Sequence, residues 1–324
     1  MNSINFYENA DGFNFDTQII LQLNSAGRKI LEIPIPTYYG DEISHVQGIK
    51  YAWQVSTAVI KHRLNAMGFF ASRVATPEYR FKHDQHSSHG KIQKLISDTE
   101  PGCLLDVGCA NCELSEFAAA AGHKVTAIDV HLPNREVSDV KIIQHDLETG
   151  LPTQLIEKFD LIICADVLEH LRAPDKLLHE SLNLLTTSGR LITSIPNFGH
   201  WYPRFRILLG KFDYDARGIL DQTHLRFFTK KSFIRIANES GYDVSNVWLT
   251  GTPFEVLYRE APTRKFSWSG FLKFLSLIDR ALCRVRGQIF AYQFIFELTP
   301  KTSRKRKITE KYKSFTTSSG SSLG

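Results

Sequence analysis

The 324-residue chain has no run of about eighteen uncharged apolar residues, so its sequence predicts no membrane-spanning helix. Its first residues are polar and partly acidic, without the basic-then-apolar order of a secretory leader. Internal repeats are absent as well. Cysteine is scarce: Cys103, Cys109, Cys112, Cys164 and Cys283 make an odd five. That number argues against a disulfide framework and for reduced thiols in a cytoplasmic setting. Cys109-Ala-Asn-Cys112 has C-x-x-C spacing, but no second pair accompanies it. A zinc site needs two more ligands, so no metal is expected. A thioredoxin-type redox pair is the other reading of these two cysteines.

Basic surplus is confined to one place. The net charge is +5, and Lys301, Arg304, Lys305, Arg306, Lys307, Lys311 and Lys313 stand against Glu310 alone. The rest of the chain is therefore close to neutral, and a nucleic-acid partner is not expected. Residues 301–324 read as a basic, Ser/Thr-rich tail without order. Peripheral contact of that tail with an anionic membrane is the alternative to simple solvation.

What the chain does have is core. With 43% hydrophobic residues, it can bury the interior of a full-sized domain. Residues 1–66 form one region, and residues 67–90, with His83, His86 and His89, read as a linker. From 91 to 300 short β-branched runs alternate with helical patterns, which implies a wound, mostly parallel sheet. Strands are expected at Cys103–Val107, Lys124–Val130, Val140–His145, Phe159–Cys164, Arg190–Ile195, Val244–Leu249 and Ile289–Leu298. Helices are expected at Leu114–Ala121, Pro174–Leu185 and Lys231–Ser240. The fold class is thus α/β, Rossmann-like and doubly wound around seven strands, with a small N-terminal α/β fragment.

The chemistry begins at Leu104-Leu105-Asp106-Val107-Gly108-Cys109-Ala110-Asn111-Cys112. An apolar strand runs into a small-residue turn and then a helix. Such a turn lets backbone N–H groups approach a ligand closely, and the helix N-terminus favours an anion. Asp129 ends the next strand about twenty residues on, where a carboxylate can accept from two ribose hydroxyls. Asp146, with Leu147 after it, ends the third strand within reach of an adenine. A dinucleotide site would require G-x-G-x-x-G, but positions 108, 110 and 113 are Gly, Ala and Glu. Glu113 would meet a pyrophosphate with like charge.

Leu105-Asp106-Val107-Gly108-Cys109-Ala110 resembles motif I of class I S-adenosylmethionine-dependent methyltransferases. Phe159 to His170, ending Asp166-Val167-Leu168-Glu169-His170, resembles their fourth-strand motif in the small-molecule, ubiquinone-methyltransferase-like branch. The resemblance implies S-adenosyl-L-methionine as cofactor. It assigns Asp106, Gly108 and Ala110 to the methionine end, Asp129 to the ribose, Asp146 and Leu147 to the adenine side, and Asp166 to the same site. Ala110 and Cys112 depart from the family pattern, which often has glycine there. The competing readings are a helix-capping carboxylate for Asp106, a solvated strand-end acid for Asp129, and a polar turn for Glu169-His170.

For the acceptor side, His200 to Leu209 reads as a helix with Trp201, Phe205, Leu208 and Leu209 on one face. Such a helix suits a lid over an acceptor pocket, or a surface helix packed on the core. Asp221 to Thr229 resembles the T-H-x-x-x-F segment of quinone-type O-methyltransferases, with Thr229 as a helix N-cap. His224 and His170 are the candidate catalytic bases or acceptor contacts. Alignment alone can drive methyl transfer, so a base is not obligatory. Phe266–Arg286 reads as a second amphipathic helix packed on the sheet.

Gly12 to Ile20 and Glu32-Ile33-Pro34-Ile35-Pro36-Thr37-Tyr38-Tyr39-Gly40-Asp41-Glu42 resemble the C-terminal end of a family 2 glycosyltransferase of the dolichol-phosphate mannosyltransferase type. Asp16 and Asp41 match family positions, but the family's Asp-rich metal motif has no counterpart here. The expectation is a truncated fusion or a retained docking element, and a sugar or lipid-linked context with a glycosyltransferase partner. Two functions are implied: methyl transfer to an oxygen of a small-molecule, sugar or lipid-linked acceptor, or a non-catalytic scaffold in glycan assembly.

Overall fold

In a computed structural model of the chain, the structure describes residues 9, 12, 14–25, 28–34, 36, 47–66, 85–215, 217–253 and 268–301. Two units are distinguished by their internal contacts. One comprises residues 1–78, 212–222 and 253–272, the other residues 79–211, 223–252 and 273–324. Two stretches of the expected 91–300 domain, 212–222 and 253–272, thus fall in the first unit.

The second unit holds a seven-stranded sheet: β1 Cys103–Val107, β2 Lys124–Asp129, β3 Val140–Gln144, β4 Phe159–Ala165, β5 Leu185–Pro196, β6 Tyr242–Thr250 and β7 Gln293–Pro300. Their order across the sheet is β3-β2-β1-β4-β5-β7-β6. Neighbours among the first five are parallel, and β7 runs antiparallel to both β5 and β6. Central parallel strands are buried on both faces, so they read as continuous apolar runs. Leu104 and Leu105 are adjacent in sequence, face opposite sides and are both fully buried. On one side Leu104, Leu161, Ile163 and Ile192 meet Ile92 and Ile96 of α3 (Ser88–Ser97) and Leu114 and Ala118 of α4 (Glu113–Ala120). On the other, Leu105, Ile162 and Leu191 meet Leu177 and Leu178 of α5 (Pro174–Ser181) and Phe233 and Ala237 of α7 (Lys230–Glu239).

Strand order reverses between β1 and β4, since β2 and β3 lie to one side of β1 while β5 lies beyond β4. Loops leaving the carboxyl ends of these two central strands part in opposite directions and open a crevice, where ligands of such sheets bind. The seven-stranded, doubly wound expectation holds.

Several boundaries differ, for physical reasons. Pro174–Leu185 ends as a helix at Ser181, because Leu185 begins β5 and pairs with Phe159. The last strand begins at Gln293 and not Ile289. The helix α8 spans Trp268–Phe290 and uses the residues before it, with a non-helical Arg286 (φ −141°) inside. Burial on α6 (Trp201–Leu208) is the reverse of its apolar pattern. Tyr202, Pro203 and Arg206 are buried, while Trp201, Phe205 and Leu208 (82% exposed) face outward. Arg206 is retained inside by the Tyr202 hydroxyl, to which its Nη1 donates at 2.8 Å. On α8 Cys283 is buried, but Phe274, Leu277 and Ile278 are exposed. Packing thus covers only part of its apolar side.

In the first unit, the described part of residues 1–66 forms α1 (Phe15–Ser25) and α2 (Gly48–Ala66), with no strand among those described residues. The expected α/β character of that fragment is therefore helical where it is described. Asp41, residues 67–84 and residues 302–324 lie outside the described residues. Among those described, no helix is long and apolar enough to cross a membrane.

Candidate functional site

The turn after β1 is the tightest backbone in the sheet. Gly108, Ala110 and Cys112 take φ values of +77°, +47° and +63°, a left-handed region that side chains other than glycine enter at a cost. Glycine is required at 108 for a second reason. A Cβ there would lie 2.4 Å from Cγ2 of Val167, in the turn after β4. The two motifs legible in the sequence therefore touch at the carboxyl edge of the central strands. Backbone N–H groups of Gly108 and Cys109 are spent on Ile128 of β2, at 2.8 and 3.1 Å. Ala110 N–H donates to Oδ2 of Asp129 at 2.8 Å.

Asp129 ends β2, partly buried, and its Oδ1 accepts from His131 N–H at 3.0 Å. A carboxylate has about four acceptor sites, so two remain for ribose hydroxyls. Asp106 is placed differently. It is fully buried, and its Oδ2 accepts from the Ser115 hydroxyl of α4 at 2.6 Å. Burial pushes its carboxyl up to about 6, the Ser115 bond working against that rise. Asp106 thus pins α4 to the strand and shapes the turn from beneath. Asp146 accepts from Glu148 N–H at 2.9 Å and caps a short 3-10 helix that starts at Leu147, itself packed against the core. Both keep the edge of the crevice beyond β3.

Asp166 comes directly after β4 with φ +55°. Its Oδ1 accepts from the Ser194 hydroxyl at 2.5 Å and from Gln293 Nε2 at 3.0 Å, and Oδ2 accepts from the same Gln293 nitrogen at 3.1 Å. A left-handed aspartate is thereby fixed by two neighbouring strands. Neither Ser194 nor Gln293 is a candidate from sequence, since nothing but strand order places β5 and β7 beside Asp166.

The two histidines do come together. His170 and His224 stack edge to face with ring centroids 4.8 Å apart, although they are distant in sequence. Leu225 and Arg226 N–H groups both donate to the Glu169 carbonyl, at 2.8 and 2.9 Å, which ties the second segment to the first. His170 Nδ1 lies 3.2 Å from the Thr223 carbonyl. A carbonyl only accepts, so Nδ1 is the donor of this bond, and Nε2 is the nitrogen through which the ring can take a proton or a metal. The buried carboxylate of Glu169 completes a group whose three ligand atoms all lie within 4.8 Å of one another. Cysteine spacing offers no reason to expect a metal, yet this trio is able to hold one. The signal that would have found it is Glu169-His170 taken with a distant histidine. Phe227, 6.3 Å from His224, and Phe198, 5.0 Å from Phe227, supply aromatic surface nearby. Thr229 caps α7 as expected, its hydroxyl accepting from Ser232 N–H.

Residues 81–247 match a family described as a methyltransferase domain. A ubiquinone biosynthesis O-methyltransferase of Proteus mirabilis is 30% identical over 106 residues, which are 29% of this chain and 42% of that protein. One of Haemophilus ducreyi is 28% identical over 174 residues, 48% of this chain and 64% of that protein. The chain spans about half the length of the curated relatives it matches. Among solved structures, Burkholderia thailandensis 1,6-didemethyltoxoflavin-N1-methyltransferase, bound to 1,6-didemethyltoxoflavin and S-adenosylhomocysteine, aligns with 13% identity and a TM-score of 0.44. The alignment covers 80% of this chain and 93% of that one.

Proposed function

We propose, because the chain belongs to the methyltransferase-domain family over residues 81–247, that it transfers a methyl group from S-adenosylmethionine to an oxygen of a small-molecule, sugar or lipid-linked acceptor. The observation that carries this reading is the joined pair of turns after β1 and β4: Gly108 leaves no room for a side chain against Val167, and Ala110 N–H donates to Asp129 at the end of β2. The residues fit the cofactor. Asp129 would hold the ribose, the small-residue turn would admit the methionine end, and Asp146 with Leu147 would border the adenine. Methyl transfer needs little beyond a sulfonium and a nucleophile aligned in line. Calorimetric titration with S-adenosylhomocysteine is expected to show one site per chain, and the absence of heat at millimolar ligand would overturn the reading.

Two readings of His170 and His224 stay open. Either could take the proton of the acceptor hydroxyl, as Nε2 of His170 permits. The convergence of Glu169, His170 and His224 favours the second, a divalent cation held by all three. When bound, such an ion would lower the pKa of an acceptor hydroxyl sharing it. Manganese(II) titrated into the protein is expected to lose its free-ion paramagnetic resonance signal, and Glu169→Gln to restore it. An unchanged signal with the parent protein would leave the histidines as bases only.

The likeness to ubiquinone O-methyltransferases favours an aromatic or quinone-type acceptor, with Phe198 and Phe227 as its walls. The outward apolar face of α6 and the basic residues between 301 and 313 favour a lipid-linked acceptor met at an anionic surface. Residues 1–66 are read as a glycosyltransferase-derived docking element on the strength of residues 12–42. A pull-down with those residues deleted should then lose a glycosyltransferase partner, whereas retention of the same partner would reject the docking role.

A further inference from the structure

Beneath the turn after β1, packed against Ala127 of β2 and Val140 and Ile142 of β3, lie two nucleophilic side chains for which methyl transfer has no use. Cys109 and Cys112 begin and end the turn after β1, and their Sγ atoms lie 3.2 Å apart, hydrogen-bonded to each other. Other cysteines are placed elsewhere: Cys164 in β4, Cys283 in α8, and Cys103 at the start of β1. A disulfide requires sulfurs at about 2.05 Å, so little more than 1 Å separates this pair from a bond. The spacing of three residues at a helix start is one that closes such rings.

We propose that Cys109 and Cys112 form a reversible redox modification site, oxidised by peroxide to a disulfide that loosens the turn's hold on the cofactor; the second half rests on the reading that this turn binds S-adenosylmethionine. The chemistry balances with hydrogen peroxide as the oxidant. Cys109, which retains 7% exposure where Cys112 has none, meets the peroxide first. An S–O bond forms, the O–O bond breaks, and the thiol proton leaves with hydroxide as water. The Cys112 sulfur then attacks that of Cys109, forming the S–S bond and expelling the oxygen, with the Cys112 proton, as a second water. Two thiols are oxidised and one peroxide is reduced to two waters.

The hydrogen bond between the two sulfurs holds Cys112 below the ordinary thiol range in the reduced pair. The same bond, with burial and the nearby Asp106 and Asp129, pushes Cys109 well up. The small exposure of Cys109 limits access, so the site answers sustained peroxide, forming the disulfide. Thiols of low molecular weight or a dithiol reductase reverse it.

Closure matters because the turn has no slack. Gly108, Ala110 and Cys112 are already left-handed. The Cys112 N–H bonds the Cys109 carbonyl at 2.7 Å, and Ala110 between them bonds Asp129. Drawing the two sulfurs together must move Ala110, and with it the carboxylate proposed for the ribose.

The test uses the full chain with Cys103→Ser. The tryptic peptide Leu95–Lys124 then carries Cys109 and Cys112 and no other cysteine. Treatment with excess peroxide is expected to lower that peptide's mass by two hydrogens. It should weaken S-adenosylhomocysteine binding by about tenfold, or 1.4 kcal/mol, both reversed by dithiothreitol. In Cys109→Ser, or in Cys112→Ser should that fold poorly, peroxide should no longer change the affinity. Sulfinic acid in place of the two-hydrogen loss would overturn the proposal, as would a disulfide with unchanged affinity. Failure of the reduced protein to bind the ligand at all would instead reject the methyltransferase reading.

Discussion

Asp129→Ala is expected to weaken S-adenosylhomocysteine binding by about 100-fold, since two hydrogen bonds to a charged acceptor are worth about 1.5 kcal/mol each at the low end. The carboxylate sits at the end of β2, where Ala110 and His131 N–H groups already orient both oxygens. Its remaining acceptor sites are the ones proposed for the ribose, so alanine would remove those contacts and free the turn together. Asp129→Asn keeps one acceptor oxygen and should fall between the two. Because alanine also gives up the bonds from Ala110 and His131 N–H, thermal unfolding is recorded beside the titration, and a folded variant that binds weakly separates loss of binding from loss of fold. An affinity of Asp129→Ala within about threefold of the parent, under 1 kcal/mol, would show that the ribose is held elsewhere.

Gly108→Ala should be strongly destabilising, because a single methyl group there meets both backbone strain and a filled space. A left-handed residue with a Cβ costs about 1–2 kcal/mol, and forcing a methyl into a filled space about 1–3 more. The contact is specific, 2.4 Å from the new Cβ to Cγ2 of Val167, and this makes it testable by a cycle. Val167→Ala removes the obstructing branch, so the double variant should recover the steric part and keep the backbone part. Urea midpoints of the four proteins should give a coupling of about 1–2 kcal/mol. Additivity would mean that the left-handed backbone alone fixes glycine there.

The fold is legible wherever burial on both faces writes itself as an unbroken apolar run. Leu104-Leu105 and Leu161-Ile162-Ile163 are such runs, and each is a central strand. Boundaries are misread where tertiary context chooses between two states that the same residues could adopt. Ile289 looks like the start of a strand, but α8 continues through Phe290 and the strand begins at Gln293. α6 misleads for another reason. Its apolar residues suggest an inward face, while the Tyr202 hydroxyl allows Arg206 to take that place. In the site, residues standing at the end of a strand are located by the sequence, whatever they bind: Gly108, Asp129, Asp166. Those reaching in from another strand are not, and Ser194 and Gln293 secure Asp166 without any local signal. Asp106 shows the converse: its motif is plain, but nothing local announces the Ser115 hydroxyl from which its buried carboxylate accepts.

The position of β7 has a bearing on how the chain is made. Among the described residues β6 pairs with β7 and with no other strand, and β7 also covers the edge of β5. During synthesis from the N-terminus, residues 242–250 emerge with no partner strand and wait for residues 293–300. Until those arrive, the edge of β5 from Leu191 to Pro196 stands open with its apolar side chains, the kind of edge that captures other chains. A nascent chain stalled before Gln293 is therefore a template for aggregation, and release of β7 from the ribosome is the event that makes the sheet safe.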